Sequence, residues 1–327
     1  MLKIAGVMGV SRDLPDRDTG VEYVHDANNI KAAHGKYSAD FGMRTLDTLP
    51  DDIFHMEALD DARYRKLLML GDTKAYAWDG NATTDITETG EELVPLVDGE
   101  KYASDQISGM GVFAQINDYP RAYGDPAVLS SKIAFLPWDA TNTWSDKDTR
   151  AGVIRNYKNF LVTLGESTSL TYDPRKVRWS DSVTDTGVLP YWEPTPEGDA
   201  GFVTLSDLDD IVDGLQLQDA FVIYSATSAY LMQYVGGQFV MKFRRLPLVP
   251  GVMAKNLVME VEGSHFVVGV SDIYIHNTAG PPQSLIDKRL RDVVYGRLNA
   301  ANLTYAFLVE NWQDQEIWLC VGDTTGS

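Results

Sequence analysis

The side chains of this chain that can do chemistry are mostly carboxylates and histidines, and their spacing limits the reactions open to them. Acidic pairs occur at 60–61, 91–92 and 209–210. Two carboxylates can hydrolyse a glycosidic bond, but a retaining pair must converge to about 5 Å across the fold, which sequence spacing does not fix. The dipeptides at 145–146 and 180–181 do not extend to the Ser-x-Asp-x-Gly-x-Thr-Trp turn often repeated in propeller glycosidases.

Metal-ligand spacing is weak throughout the chain. The acidic stretch 79–90 has the composition of a calcium loop but lacks the glycine at its sixth position. The five histidines show no two-ligand spacing with carboxylates or cysteine, and we interpret His265 and His276 as hydrogen-bonded residues near strand ends. The sequence therefore predicts no metal and no cofactor.

Signatures of covalent catalysis and nucleotide binding are also weak. The chain has no Gly-x-Ser-x-Gly turn and no plausible Cys–His pair. A glycine-containing run at 108–114 leads into a strand-like segment rather than a helix, which disfavours a dinucleotide site. Cys320 lies in an apolar run and is interpreted as a small buried hydrophobe. We therefore predict no catalytic residues and no enzymatic activity.

Composition and charge indicate a chain that buries a core and repels polyanions. Of the 327 residues, 44% are hydrophobic and 10% are aromatic, which disfavours a disordered chain. The formal net charge is −19 at pH 7, and a field of that sign repels phosphate. A channel through which nucleic acid passes without binding remains compatible with this charge. No apolar run reaches the roughly 18 residues of a membrane helix, so no membrane insertion is expected.

The elements that would position these side chains are predicted to be β-hairpins. Residues 221–234 read as two β-branched and aromatic arms around a small polar turn at 225–228. Similar hairpins are predicted at 66–80, 111–123, 153–172, 265–276 and 316–327. In the second of these, Pro120 is expected at a sheet edge or outside the sheet.

The spacing of these hairpins predicts the fold class. Their turns recur at intervals close to one four-stranded propeller blade, roughly 40–50 residues. We therefore predict an all-β protein, a β-propeller of about six blades, one or more of them irregular, with inserted loops and one short helix; a two-sheet sandwich is the structural alternative. Residues 1–60 are expected to be a lead-in or closing segment and 61–327 the propeller, with a projecting insertion at 180–205 and possible truncation at the C-terminus.

One basic cluster is the candidate site for docking a neighbouring subunit. It joins Lys242, Arg244 and Arg245 with Lys288, Arg289 and Arg291, the last three on a helix predicted over 284–295 with Ser284 as its cap. In an acidic chain such a cluster can meet a neighbour's acidic face. Scattered charges that discourage strand-edge pairing are an equally good explanation.

The order of several motifs resembles the tail tubular, nozzle or hub proteins of short-tailed bacteriophages, a group that includes the packaged-DNA stabilisation proteins. The similarity runs over most of residues 20–320, although each motif alone is weak. The motifs are DANNI at 26–30, NDYP at 117–120, IAFLPW at 133–138, VIRNYKNFL at 153–161, VRWSD at 177–181 with Trp192 behind it, DAFVIY at 219–224 and YLMQYVGGQF at 230–239.

This resemblance implies a structural virion component with no catalytic residues. Members of the group build a propeller-containing subunit, and six copies ring the axis below the portal and adaptor proteins, with tail fibre or needle proteins beside or below. The expectation is a homohexameric ring in the virion tail, made in the host cytoplasm, through which DNA passes without specific binding. The alternative is a propeller glycoside hydrolase or glycan-binding module acting on a host surface polysaccharide.

Overall fold

Runs of β-branched and aromatic residues form the strands of this protein, and short polar turns join them. The predicted hairpin around 225–228 shows the pattern, because Ile223 lies opposite Tyr230 in an antiparallel register. Its turn is held by Ser225, whose Oγ accepts a 3.0 Å hydrogen bond from the Ser228 backbone N–H. This hairpin, and those predicted near 66–80, 111–123 and 265–276, are confirmed.

The computed structural model describes residues 51–321, apart from 62–63, 98, 125–131, 184, 186–187, 238, 279, 287, 299–302 and 312–315, together with short pieces of residues 1–50. The chain divides into two compact units, residues 1–50 and 51–327. In the first unit the described strands are β1 (Gly9–Val10) and β2 (Tyr23–Val24), paired in parallel, and the antiparallel pair β3 (Ile30–Ala33) and β4 (Lys36–Ala39).

In the second unit, the described residues form five four-stranded antiparallel sheets, each from four consecutive strands. The first sheet holds β5 (Ile53–Asp61), β6 (Tyr64–Gly71), β7 (Ala75–Trp78) and β8 (Thr83–Asp85). The second sheet holds β9 (Ala103–Ile107), β10 (Met110–Gln115), β11 (Asp118–Tyr123) and β12 (Ala134–Phe135), and the third holds β13 (Arg150–Tyr157), β14 (Phe160–Ser167), β15 (Tyr172–Trp179) and β16 (Gly201–Thr204). The fourth sheet holds β17 (Ile211–Leu217), β18 (Ala220–Ser225), β19 (Ala229–Tyr234) and β20 (Met241–Leu246), and the fifth holds β21 (Val258–Val261), β22 (Ser264–Val268), β23 (Ile273–His276) and β24 (Gln283–Ser284).

These sheets are the blades of a β-propeller. In each blade the first strand lies at one edge, and the first strands of successive blades contact one another around a common axis. The apolar cores lie between adjacent blades rather than within one sheet. One cluster joins blades one and two, a second joins blades two and three, a third joins blades three and four, and a fourth joins blades four and five. The all-β propeller prediction is confirmed, and the number of complete blades in the described residues is five, not the expected six.

Beyond the fifth blade, the described chain continues with the helix α1 (Lys288–Arg297) and the hairpin β25 (Phe307–Asn311) and β26 (Glu316–Cys320). The hairpin packs Leu308 and Leu319 onto the core of blades four and five. Its first strand reaches the axis, because the Leu308 N–H donates to the Asn256 carbonyl at 3.2 Å, directly before β21. It therefore takes the position that the inner strands of a further blade would hold. No described helix is long or apolar enough to cross a membrane.

Three sequence predictions about the second and third blades differ from the structure. Pro120 lies in β11, an interior strand, because the β10–β11 register shifts between Phe113 and Gln115 and relieves its missing N–H. The hairpin predicted at 153–172 turns at 168–171, between β14 and β15, whereas Gly165 forms a bulge inside β14 with φ of 66°. The insertion does not simply project, since Trp192 is fully buried beside the Trp144 ring.

The remaining differences concern element boundaries. The first blade begins within the predicted 1–60 segment, because β5 starts at Ile53 and pairs with β6. The helix begins at Lys288 rather than after Ser284, because Ser284 belongs to β24 and its hydroxyl donates to Asp272 Oδ1 at 3.0 Å. Residues 322–327, the end of the hairpin predicted at 316–327, lie outside the described residues.

Replacing Gly251 with alanine is expected to destabilise the fourth and fifth blades strongly. A Cβ on Gly251 would lie 2.0 Å from the Ser225 carbonyl oxygen and 2.3 Å from the Ala226 carbonyl carbon, both backbone atoms that cannot rotate away. We expect a loss of at least about 2–3 kcal/mol in the free energy of unfolding, measured by urea denaturation. The matched control is Gly280→Ala, where no atom lies within 4 Å of the added Cβ. Equal stability of the two variants would contradict the packing described here.

Candidate functional site at the propeller axis

The centre of the propeller is occupied by the buried guanidinium of Arg155, carried on the inner strand β13. Its Nη2 lies 3.0 Å from both carboxylate oxygens of Asp213, on the inner strand β17. Nη1 donates to the Ser104 carbonyl at 2.7 Å, and Nη2 also donates to Asn256 Oδ1 at 2.9 Å. One side chain therefore connects the second, third, fourth and fifth blades.

The Arg155–Asp213 pair is buried, and its two charges are paired and hydrogen-bonded, as buried charges require. Asp213 also accepts the Asn256 backbone N–H at 2.7 Å, so both of its oxygens are used. Burial alone would lower the pKa of Arg155, but the neighbouring Asp213 carboxylate raises it above the usual value. The guanidinium therefore stays charged at every physiological pH.

Side chains also connect inner strands of neighbouring blades that do not share a ladder. Gln106 on β9 donates to the Ala58 carbonyl on β5 and accepts from the Asp60 N–H. Asp105 accepts the Asn156 N–H at 2.8 Å, across the second and third blades. In the same way, Gln216 Oε1 accepts the Lys158 N–H, across the third and fourth. Polar side chains thus satisfy backbone groups that would otherwise be left exposed along each inner edge.

A second polar group near the axis joins the first two blades. The Ser104 hydroxyl lies 2.6 Å from His55 Nε2 and 2.6 Å from Glu57 Oε2. Burial, followed by the charge of Arg155, lowers the pKa of His55 to about 3, so the imidazole is neutral. The simplest arrangement has His55 N–H donating to Ser104 and the Ser104 hydroxyl donating to Glu57. Burial also raises the pKa of the neighbouring Asp105 to about 6.

At one end of the axis, two lysines exchange hydrogen bonds across a cavity of about 360 Å³. Lys101 Nζ donates to the Lys255 carbonyl at 3.1 Å, and Lys255 Nζ donates to the Lys101 carbonyl at 3.0 Å. Lys101 Nζ also donates to the Ala306 carbonyl at 2.6 Å, which ties the segment before β25 to the axis. Burial and the charge of Lys255 lower the pKa of Lys101 to about 8.

The two histidines singled out in the sequence meet at one buried tyrosine between the fourth and fifth blades. Tyr224 Oη lies 2.7 Å from His265 Nδ1 and 2.5 Å from His276 Nε2, and His265 Nε2 lies 2.8 Å from the Gln216 carbonyl. A carbonyl accepts only, so His265 carries its proton on Nε2 and accepts the Tyr224 hydroxyl proton on Nδ1. His276 then donates from Nε2 to Tyr224. The interpretation of both histidines as hydrogen-bonded strand residues is confirmed.

The structure places the predicted docking residues away from the axis. Lys242, Arg244 and Arg245 lie exposed on β20, the outermost strand of the fourth blade. Arg291 lies on α1 and pairs with Asp272 at 3.0 Å, in the β22–β23 turn. Lys288 and Arg289 begin the same helix, and their side chains lie outside the described residues.

Sequence reasoning did not single out any residue of the axis. The available signal is a charged residue inside a predicted strand rather than at its end, as Arg155 is in β13 and Asp213 is in β17, because a buried strand tolerates such a charge only when it is paired. Among the described residues, no group of three or more histidine, cysteine, aspartate or glutamate side chains is arranged to hold a metal ion.

Comparison with known proteins gives weak likenesses. No protein family and no curated protein matches the sequence. Among solved structures, the chain is similar to a streptogramin B lyase at 11% identity and TM-score 0.48, covering 90% of this chain and 84% of the lyase. It is also similar to a gluconolactonase from Xanthomonas campestris (9%, TM-score 0.45, 80% of each chain) and to human WBSCR16 (9%, TM-score 0.38, 94% and 80%).

Two of these three proteins are enzymes, but no conclusion about the chemistry of this chain follows at such identities and scores. The strand order and the axis themselves define the class: this is a β-propeller protein whose centre is held by a buried ion-pair network.

Replacing Arg155 with methionine is expected to destabilise the propeller by about 3–5 kcal/mol, because it leaves the fully buried Asp213 carboxylate without its counter-ion. Urea denaturation measures the loss. The matched control is Arg65→Met, which breaks an exposed pair with Asp60 and is expected to leave the midpoint nearly unchanged. A loss below about 1 kcal/mol in the Arg155 variant would show that the axis is not held by this pair.

Acid is expected to weaken the contact between the fourth and fifth blades through His265. Burial lowers the pKa of His265 to about 4 in the folded protein, whereas an unfolded histidine has a pKa of about 6.5. The unfolded chain therefore binds the proton first, and this contribution is complete above pH 6.5 and lost as the pH falls towards 4.

The measurement is unfolding free energy against pH for the native protein and for His265→Gln. Asp105 and His55 are present in both proteins, so their titrations cancel in the difference. As the pH falls from 6.5 towards 4, we expect the free energy of unfolding of the variant to drop by up to about 1.4 kcal/mol per pH unit less than that of the native protein. Equal slopes of unfolding free energy against pH in the two proteins would contradict the lowered pKa of His265.

Proposed function

We propose that this chain is a structural, non-catalytic subunit of a bacteriophage tail, in the nozzle or hub ring below the portal and adaptor proteins. In that position it forms part of the DNA ejection channel, helps to hold the packaged DNA, and contacts tail fibre or needle proteins. The ring contains several copies of the chain, six by the resemblance of its motifs to the tail nozzle group.

The observation that carries this proposal is the basic outer edge of the fourth blade. Three cationic side chains, Lys242, Arg244 and Arg245, are exposed on one six-residue strand of a chain whose net charge is −19. Among the described residues, β20 pairs only with β19, so its other edge is available to a neighbour. Charge complementarity between this edge and the acidic surface of the next copy orients subunits in a ring.

The axis and the net charge support a structural role. Arg155 ties four blades together, which suits a part that must keep its shape under load. An acidic ring wall repels phosphate, and a wall without phosphate contacts lets DNA slide without salt-dependent binding. On this proposal the protein should retain no duplex DNA in a filter-binding assay, even at 50 mM salt.

A second candidate is a propeller glycoside hydrolase acting on host polysaccharide, and one observation favours it. Asp105 and Glu57 lie on adjacent inner strands, and burial raises the pKa of Asp105 to about 6, a value suited to a general acid. Both carboxylates already hold structural hydrogen bonds, from the Asn156 N–H and from the Ser104 hydroxyl. We therefore rank this candidate below the structural role.

Reversing the basic edge is expected to abolish ring assembly. In size-exclusion chromatography with light scattering, and in negative-stain images with the neighbouring tail protein, the native chain should form closed rings. The triple variant Lys242→Glu, Arg244→Glu and Arg245→Glu should lower the assembled fraction at least tenfold, because like charges then face one another at the contact.

The matched control carries the same change in charge elsewhere, as Arg65→Glu, Lys74→Glu and Lys147→Glu, and should still form rings. A native chain that stays monomeric beside the tail protein contradicts the proposal, as does assembly by the edge variant. Release of reducing sugar from host polysaccharide, lost in Asp105→Asn, would favour the hydrolase instead.

A further inference from the structure

The cavity at the end of the axis lies where the chain enters successive inner strands. It is lined by residues 99–101 before β9, 152–153 in β13, 211–212 at the start of β17, 254–255 before β21 and 303–304 before β25. Five parts of the ring therefore converge on a single space. Its volume of about 360 Å³ lies in the range of small-molecule pockets, about 300–1,000 Å³.

Most of the lining is apolar. Val153, Leu164, Ile211, Val212 and Leu303 contribute hydrocarbon side chains. Three glycines in the lining, at 99, 152 and 165, present only backbone. A molecule enclosed by these residues would bury a hydrocarbon body, which is favourable at about 25 cal/mol per Å² of apolar surface removed from water.

The charges of the cavity are not balanced by its own residues. Lys101 and Lys255 both line it, and the carboxylate paired with them is Glu100, 3.6 Å from Lys255 Nζ and partly exposed. Their other acceptors are backbone carbonyls, which are dipoles and carry no net charge. Two ammonium groups face one carboxylate, so the cavity has an excess of one positive charge.

One N–H of Lys101 also remains available. An ammonium has three N–H donors, and the described residues supply Lys101 with two acceptors, the carbonyls of Lys255 and Ala306. The side chain is more than nine-tenths buried, so bulk water solvates the third donor poorly. A buried donor without an acceptor costs about 1–3 kcal/mol, which an anionic ligand would relieve.

We propose that this cavity binds a small organic monoanion, a carboxylate with a short hydrocarbon body. The carboxylate lies against the ammonium groups of Lys101 and Lys255, and the hydrocarbon lies against Val153, Leu164 and Ile211. A single negative charge balances the excess of one positive charge, whereas a dianion would reverse it. An alkylammonium would add a third cation. This site is independent of the proposed role in a phage tail.

Isothermal titration calorimetry at pH 7 with three probes of equal length tests the charge requirement. We expect hexanoate to bind at least tenfold more tightly than hexan-1-ol, and hexylammonium not to bind. If hexan-1-ol binds as well as hexanoate, the cavity is only an apolar hole and the proposal is wrong. Absence of hexanoate binding at millimolar concentration overturns it as well.

Variants then locate the binding. Lys101→Met removes one ammonium and is expected to weaken hexanoate binding at least tenfold, whereas Lys242→Met, on the exposed β20 edge, should bind as the native protein does. Because Lys101 also ties strands together, its variant can fail to fold. Thr304→Trp therefore fills the cavity from its lining without changing either lysine, and it should abolish binding with circular dichroism unchanged. Native-like binding by Thr304→Trp would overturn the proposal.

The pH dependence gives a separate readout. The titratable groups around the Lys101 ammonium are Lys255, Glu100, Asp213 and the nearby Tyr172. Since burial lowers the pKa of Lys101 to about 8, hexanoate affinity should fall as the pH rises above 8 and stay level between 6 and 7. An affinity that does not change up to pH 9.5 would contradict the contact with Lys101.

Discussion

The structure depends on a single buried guanidinium at the centre of the propeller. Inner strands of adjacent blades diverge too far to share a backbone ladder, so side chains must connect them. Arg155 can do so for four blades because its fork of five donors is rigid and stays charged, which a lysine at the same place would not. Asp213 supplies the opposite charge, and without it the same guanidinium would cost several kcal/mol to bury.

A centre built in this way limits where function can lie. The hydrogen bonds of Arg155 and Asp213 hold four blades together, so a ligand between them would have to break the network that supports the axis. The parts of the described chain that can change partners without loss of the fold are the end of the axis and the outer edges. The lysine-lined cavity lies at the end of the axis, and the cationic strand β20 forms an outer edge.

Much of the fold could be predicted from sequence because hairpins are local. The alternation of β-branched residues around short polar turns placed β6–β7, β18–β19 and β22–β23 correctly. Strand order within the ring is not local: the inner position of β21 follows from a contact at Asn256 with residues about one hundred positions earlier. For the same reason the axis was missed, since Arg155 and Asp213 are 58 residues apart and the motif at 153–161 that contains Arg155 does not indicate its partner.

The two histidines were interpreted correctly from the sequence, but the tyrosine that joins them was not predicted. His265 and His276 occupy facing positions on β22 and β23, which a hairpin register predicts. Tyr224, the group that joins them, comes from the previous blade, and pairing between blades leaves no periodic signal. Within a propeller, local sequence pattern therefore specifies each blade, whereas single long-range polar contacts specify how the blades meet. Sites that form between blades, as the axial cavity does, become visible only when those contacts are known.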